Sequence, residues 1–208
     1  MKKRILLTTL IACAFFTVLA VTLVVCESDA VKIRESVLRF HVIANSDSSI
    51  DQQNKLAVRD GIADLCSSLF KDSENKSQSM EIAKSSLKKI EAEAQKILVS
   101  RGDNSTVTAS VRQRFFPTRH YEGVSLPAGV YDTLDIEIGS ASGKNFWCVM
   151  FPDICLGTST KIENTQKMSE VLSGDSLKLV TENSTPAVKL KFKIVELWQN
   201  AKHFLKKK

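Results

Sequence analysis

LRFHVIANSDSSIDQQNKLAVRDG, residues Leu38 to Gly61, is the stretch on which the fold turns. From Val37 to Ala44 apolar and less apolar positions alternate and Val, Phe and Ile are frequent, the pattern of a half-buried strand. Asn45-Ser46-Asp47-Ser48 then supplies the side-chain oxygens that start helices, and Ser48 with Asp51 three residues on has the form of a capping box. Val58, Ile62, Leu65 and Leu69 follow at spacings of four, three and four, one face of a helix that ends near Phe70. A strand, a capped turn and a helix are therefore expected in that order.

Downstream, KDSENKSQS is polar and loop-like. A second helix is predicted over Met80 to Ser100, where Ala83, Leu87, Ile90, Ala94 and Ile97 keep helical spacing and Gly102 lies just past the end. The period then changes to two. Val107, Ala109 and Val111 alternate with Thr108, Ser110 and Arg112, and Val130, Leu134, Ile136 and Ile138 oppose Tyr131, Thr133, Asp135 and Glu137, as in a sheet with one wet face. Asn145 to Phe151 is a short apolar run. The order predicts an α+β fold over residues 37–157, a largely antiparallel sheet with two helices packed on one face, preceded by an N-terminal hydrophobic helix. Residues 158–186 read as a polar connector with a helical hint at Met168 to Leu172. In 187–208, Val188, Leu190, Phe192 and Ile194 alternate with lysines as in a strand, and Leu197, Trp198, Ala201 and Leu205 suggest a basic amphipathic helix.

Upstream, Ile5 to Cys26 holds 22 residues without a charge. At about 1.5 Å each, a helix of that length covers the hydrocarbon core of a bilayer, and the preceding Lys2-Lys3-Arg4 is a flank that stays cytoplasmic. Residues 1–26 are a signal peptide or a transmembrane anchor, with the rest of the chain outside. Ala20 and Ala30 both end tolerable cleavage sites, so removal and retention stay open.

The net charge of +6 is uneven: residues 1–26 carry +3, residues 157–208 carry +5, and the body between them −2. A mildly acidic body excludes the basic stripe of a nucleic-acid binder.

His41 lies mid-strand on the face opposite its neighbours. A catalytic base there would need a positioned nucleophile, and the chain has no nucleophile turn. Cys148 with His41 or His120 could be written as a thiol dyad, but Phe146, Trp147 and Val149 surround Cys148 with apolar groups that favour an inert thiol. Asp47 and Asp51 sit where a helix start wants acceptors; the EF-hand spacing is absent. No glycine-rich phosphate loop occurs, and neither a CxxC pair nor clustered histidines suggests a metal. No catalytic residue, cofactor or small-molecule substrate is assigned. Export permits a disulfide, and Cys148 with Cys155, across the turn-prone Phe151-Pro152-Asp153, is the candidate pair; two buried thiols are the alternative.

Three stretches, LRFHVIANSDSSIDQQNKLAVRDGI (38–62), RFFPTRHYEGVSLPAGVYDTLDIEIG (114–139) and GKNFWCVMFPDICLG (143–157), resemble the stage II sporulation protein R family of endospore-forming bacteria, with a weaker echo in KFKIVELWQ (191–199). The resemblance implies signalling: export from the forespore into the space between its two membranes, and activation there of a membrane-embedded aspartic protease that removes the pro-sequence of sigma-E. Arg39, His41, Asn45, Asp47 and Asp60 are then candidates for partner contact or for a structural motif. An exported thiol-dependent hydrolase acting on the cell envelope is the competing expectation.

Overall fold

The computed structural model describes residues 2–154, 160–182 and 185–206. Helix α1 (Lys2–Ser36) runs without a break from the uncharged stretch into the folded body. Strand β1 (Leu38–Ile43) follows, and then α2 (Ser49–Leu69), α3 (Lys76–Ser85) and α4 (Leu87–Ser100). The second helix expected from the sequence is thus longer and split at Ser86. It starts early because Asn75, inside the polar run, caps it by accepting from the Gln78 backbone N–H at 3.1 Å.

Strands β2 (Val107–Phe116), β3 (Arg119–Tyr121), β4 (Val124–Leu126), β5 (Gly129–Ile138) and β6 (Asn145–Phe151) complete the β structure. The main sheet has the order β2-β5-β1-β6, and β3 and β4 form a separate hairpin. β2 with β5 and β6 with β1 are antiparallel, whereas β1 and β5 are parallel. The parallel pair is possible because α2, α3, α4 and β2 supply the long crossover it requires.

Alternation sorts the strand side chains between two faces. Phe40, Val42, Leu134, Ile136, Cys148 and Met150 meet Val58, Ile62, Ile90, Ala94 and Leu98 of α2 and α4 in one core. The face predicted to be wet is mostly covered: Tyr131, Thr133 and Asp135 are buried. Ile33 and Val37 at the end of α1, the β3–β4 hairpin and later helices build a second core there.

Those later helices correct two expectations. The polar connector holds α5 (Lys161–Val171) and α6 (Gly174–Thr181). Thr160 and Glu163 form a complete capping box before α5, and Met168, Leu172, Leu179 and Val180 supply the buried face. The strand expected over Val188–Ile194 is instead part of α7 (Pro186–Lys206). Val188, Phe192, Val195 and Gln199 recur at four, three and four; that period packs on the body, while the alternation with lysines leaves Leu190 exposed. α1 also reaches further than the 26-residue segment read from the sequence, with Cys26, Ala30 and Ile33 buried.

Candidate functional site

Pairing in the sheet places Asp135 of β5 beside His41 of β1, and His41 beside Trp147 of β6. These side chains share the second face. His41 Nδ1 meets Asp135 Oδ1 at 2.5 Å, His41 Nε2 meets Asn145 Oδ1 at 2.9 Å, and the imidazole stacks on Trp147 with centroids 4.0 Å apart. Arg112 and Arg114 of β2 complete the row. Arg114 donates to Asp135 Oδ2 through Nη2 at 2.7 Å and to Glu137 Oε1 at 2.6 Å, and Arg112 bonds both carboxylates too.

Asp135 is fully buried, which alone would push its carboxyl up. The hydrogen bonds and charges of His41 and Arg114 outweigh burial and hold it below the usual carboxylate range. The arginines and Glu137 keep partial exposure, so the network runs from a sealed end at His41 to a wetted end at β2.

Arg39 is buried one turn of the pleat away. Its Nε donates to the Cys148 carbonyl at 2.9 Å and its Nη2 to Tyr121 Oη at 2.6 Å, and its guanidinium lies 4.1 Å from the Phe116 ring centroid. Burial lowers the Arg39 pKa from its ordinary value and raises that of Tyr121. Arginine suits this position because a planar, weakly hydrated guanidinium can stack on a ring and donate in fixed directions at once.

Past β1, the chain makes a second construction. Ser48 caps α2 by accepting from the Asp51 N–H at 3.1 Å. Asp51 does not return a bond to Ser48, so the predicted box is half formed; its carboxylate instead accepts from Asn45 Nδ2 at 3.1 Å and from Ser46 Oγ. Asn45 and Asp47 reach across to the β5–β6 turn. Asn45 Oδ1 accepts from the Ser140 N–H at 3.0 Å, its carbonyl from Ser142 Oγ at 2.7 Å, and Asp47 Oδ1 from the Lys144 N–H at 2.7 Å. Glycines permit the close approach: Gly139 has φ of 56°, and a Cβ on Gly143 would fall on the Ser46 carbonyl.

The five residues singled out in the sequence therefore separate. Arg39 and His41 lie in the buried row, Asn45 and Asp47 clamp two turns, and Asp60 stands exposed on α2 beside Arg59. Asp135, Arg112, Arg114, Trp147 and Asn145 were missed as site residues. Their signal was the charged side of the period-two pattern, which reads as ordinary solvated surface until a second layer covers it.

Chemically, the His41–Asp135 pair has the form of an oriented base. Its Nε2, from which a base would work, is occupied by Asn145, and its ring face is occupied by Trp147. The geometry is that of a cross-strand tie. Among the described residues, no group of three or more His, Cys, Asp or Glu is placed to hold a metal ion. Cys148 is buried and disulfide-bonded, which removes the free thiol that the hydrolase alternative required. Its expected partner, Cys155, lies outside the described residues.

The three stretches that form these two constructions fall within a family match. The family model for stage II sporulation protein R matches residues 34–161. The Stage II sporulation protein R of Bacillus subtilis (strain 168) is 30% identical over 168 residues, covering 78% of this chain and 75% of that protein. No solved structure matches.

Proposed function

Because the chain belongs to the stage II sporulation protein R family, we propose that it is an exported sporulation signal. It acts from the space between the two forespore membranes, where it activates the membrane-embedded aspartic protease that processes pro-sigma-E. The observation that carries this reading is α1, one helix long and apolar enough to cross a membrane that continues directly into the folded body. With Lys2, Lys3 and Arg4 on the cytoplasmic side, the body lies outside. The disulfide at Cys148 suits a compartment without cytosolic reductants.

Packing also ranks the two cleavage sites. Cleavage after Ala30 would remove Cys26 and Ala30, which are buried against Val195. Cleavage after Ala20 would leave that contact intact, which favours Val21 as the start of any processed form.

Partner recognition is assigned to the side chains that reach solvent, Arg112, Arg114 and Glu137 at the wetted end of the row and Asp60 on α2. Arg39, His41, Asn45 and Asp47 hold the surfaces that carry them. The test is reconstitution in a non-sporulating host that makes the protease and the sigma precursor, with precursor size read on an immunoblot. Shortening is expected only when this chain is exported. An unshortened precursor, with the Bacillus subtilis relative succeeding in parallel, would remove the signalling role.

A further inference from the structure

Helix α7 has two apolar sides, and the body covers one of them. Val188, Phe192 and Val195 face inward. The other side carries Leu190, Ile194, Leu197, Trp198, Phe204 and Leu205, which at about 100° per residue share roughly a third of the circumference. Leu190, Leu197, Phe204 and Leu205 are between 61% and 72% exposed. An open stripe of this length on a packed helix needs a partner.

The direction of α7 identifies that partner. Lys191 Nζ lies 3.7 Å from Asp29 Oδ2, and further along Gln199 Nε2 donates to Glu27 Oε1 at 2.5 Å. The two helices are therefore antiparallel, and α7 heads toward the uncharged stretch of α1. Trp198 and Lys202 border a groove of about 380 Å³ with Ala20, Leu23 and Val24. Leu197, Trp198 and Ala201 meet Leu23 on the adjoining side, so the open stripe is continuous with the exposed apolar surface of α1. Glu27 ends the uncharged stretch. From the level of Glu27, the eight residues from Gln199 to Lys206 extend about 10 Å along the direction of α1, far enough to bring this end of the stripe into the headgroup region. Charge agrees with this placement: residues 198–208 contain four lysines and no acid.

We propose that the open side of α7 from Trp198 onward is immersed in the outer face of the membrane beside α1, with the lysines of that end on anionic lipid headgroups. This rests on the reading that α1 spans the bilayer. Trp198 then lies at the interface, its ring against acyl chains, with Lys202 Nζ 4.8 Å from its centroid and directed to the headgroups.

The test uses the full chain in vesicles of phosphatidylcholine and phosphatidylglycerol, with bromine on the acyl chains as a quencher. Trp147 and Trp198 are the two tryptophans of the chain. The expected result is a roughly twofold fall in emission on bromination, reduced in vesicles of phosphatidylcholine alone and absent in Trp198→Phe, where Trp147 remains. Phe204→Asp with Leu205→Asp, both at exposed positions, abolishes the quenching while the chain stays membrane-bound. Unquenched Trp198 in a chain that resists alkaline extraction would overturn the proposal and leave the anchor standing. Release of the chain by alkali would overturn the anchor and the proposal together. Quenching that survives in Trp198→Phe, or is equal in neutral vesicles, would overturn the placement or the role of the lysines respectively.

Discussion

Replacing Asp135 with asparagine removes the charge on which His41, Arg112 and Arg114 converge, with little change in volume. The cost is unevenly shared. Arg112 and Arg114 are partly solvated and keep Glu137, so their loss is on the scale of exposed pairs, about 0–1 kcal/mol. His41 is 1% exposed, and its Nδ1 loses a charged partner inside a sealed layer, where hydrogen bonds to charged groups are worth about 1.5–3 kcal/mol. Together these predict destabilisation of about 3 kcal/mol, toward the lower end of the range for breaking a buried ion pair. Urea unfolding of the full chain in detergent micelles, followed by circular dichroism, should lower the midpoint by about 1.5 M for a slope near 2 kcal/mol/M. The pH dependence has a definite sign. The folded-state pKa of Asp135 is depressed, so its contribution is complete above the unfolded value of about 3.9 and is lost as pH falls through the lower folded value. The gap between wild type and Asp135→Asn should begin to narrow only as pH falls below about 3.9. A midpoint shift under roughly 0.3 M at neutral pH, or a gap that does not narrow at all as pH falls below about 3.9, would refute the idea that this carboxylate holds the face together.

Three further outcomes are expected. Asn45→Ala with Asp47→Ala should reduce signalling through the fold, lowering stability by about 1–3 kcal/mol in total as the clamp to residues 140–144 is lost; unchanged melting with abolished signalling would make these residues contacts instead. Gly143→Ala should destabilise by about 1–3 kcal/mol, measured by urea midpoint, because the added methyl meets the Ser46 backbone rather than a movable side chain. Burial pushes the Cys66 thiol up to about 12, so a maleimide at mild pH should leave Cys66 unlabelled, and Cys148 too, until urea and reductant are added; labelling of Cys148 in the native chain would revive the thiol-enzyme alternative.

What was legible in the sequence was local. Leu38–Ile43, the Ser48 cap and the α2 face all follow from spacing and capping chemistry to within a few residues. The parallel pairing of β1 with β5 was hidden, because register between strands about 95 residues apart depends on how helices fill the crossover. The strand expected over Val188–Ile194 is helix, because VKLKFKIV satisfies a two-residue period and a helical one and the contact with α1, outside that window, selects the helix; the helix expected through Leu197–Leu205 is there. At the candidate site, His41 drew notice by its residue type, whereas Asp135 looked like the solvated half of an amphipathic strand. Only the covering hairpin turns it into a buried charge. Thr160 and Glu163 carried a local signal for α5 that the polar composition around them obscured.

On the reading that α1 spans the bilayer, its unbroken course has a mechanical meaning. A flexible tether would let its cargo tumble, and a partner in the same bilayer would have to meet it by a three-dimensional search within the tether's reach. A continuous helix fixes the cargo's height above the lipid and its azimuth about the strut. Encounter then reduces to lateral diffusion and spin in a plane. On that reading, each residue added or deleted where the uncharged stretch ends would raise or lower the body by about 1.5 Å and turn it by about 100°, so a ladder of such insertions would act as a vernier for the docking geometry.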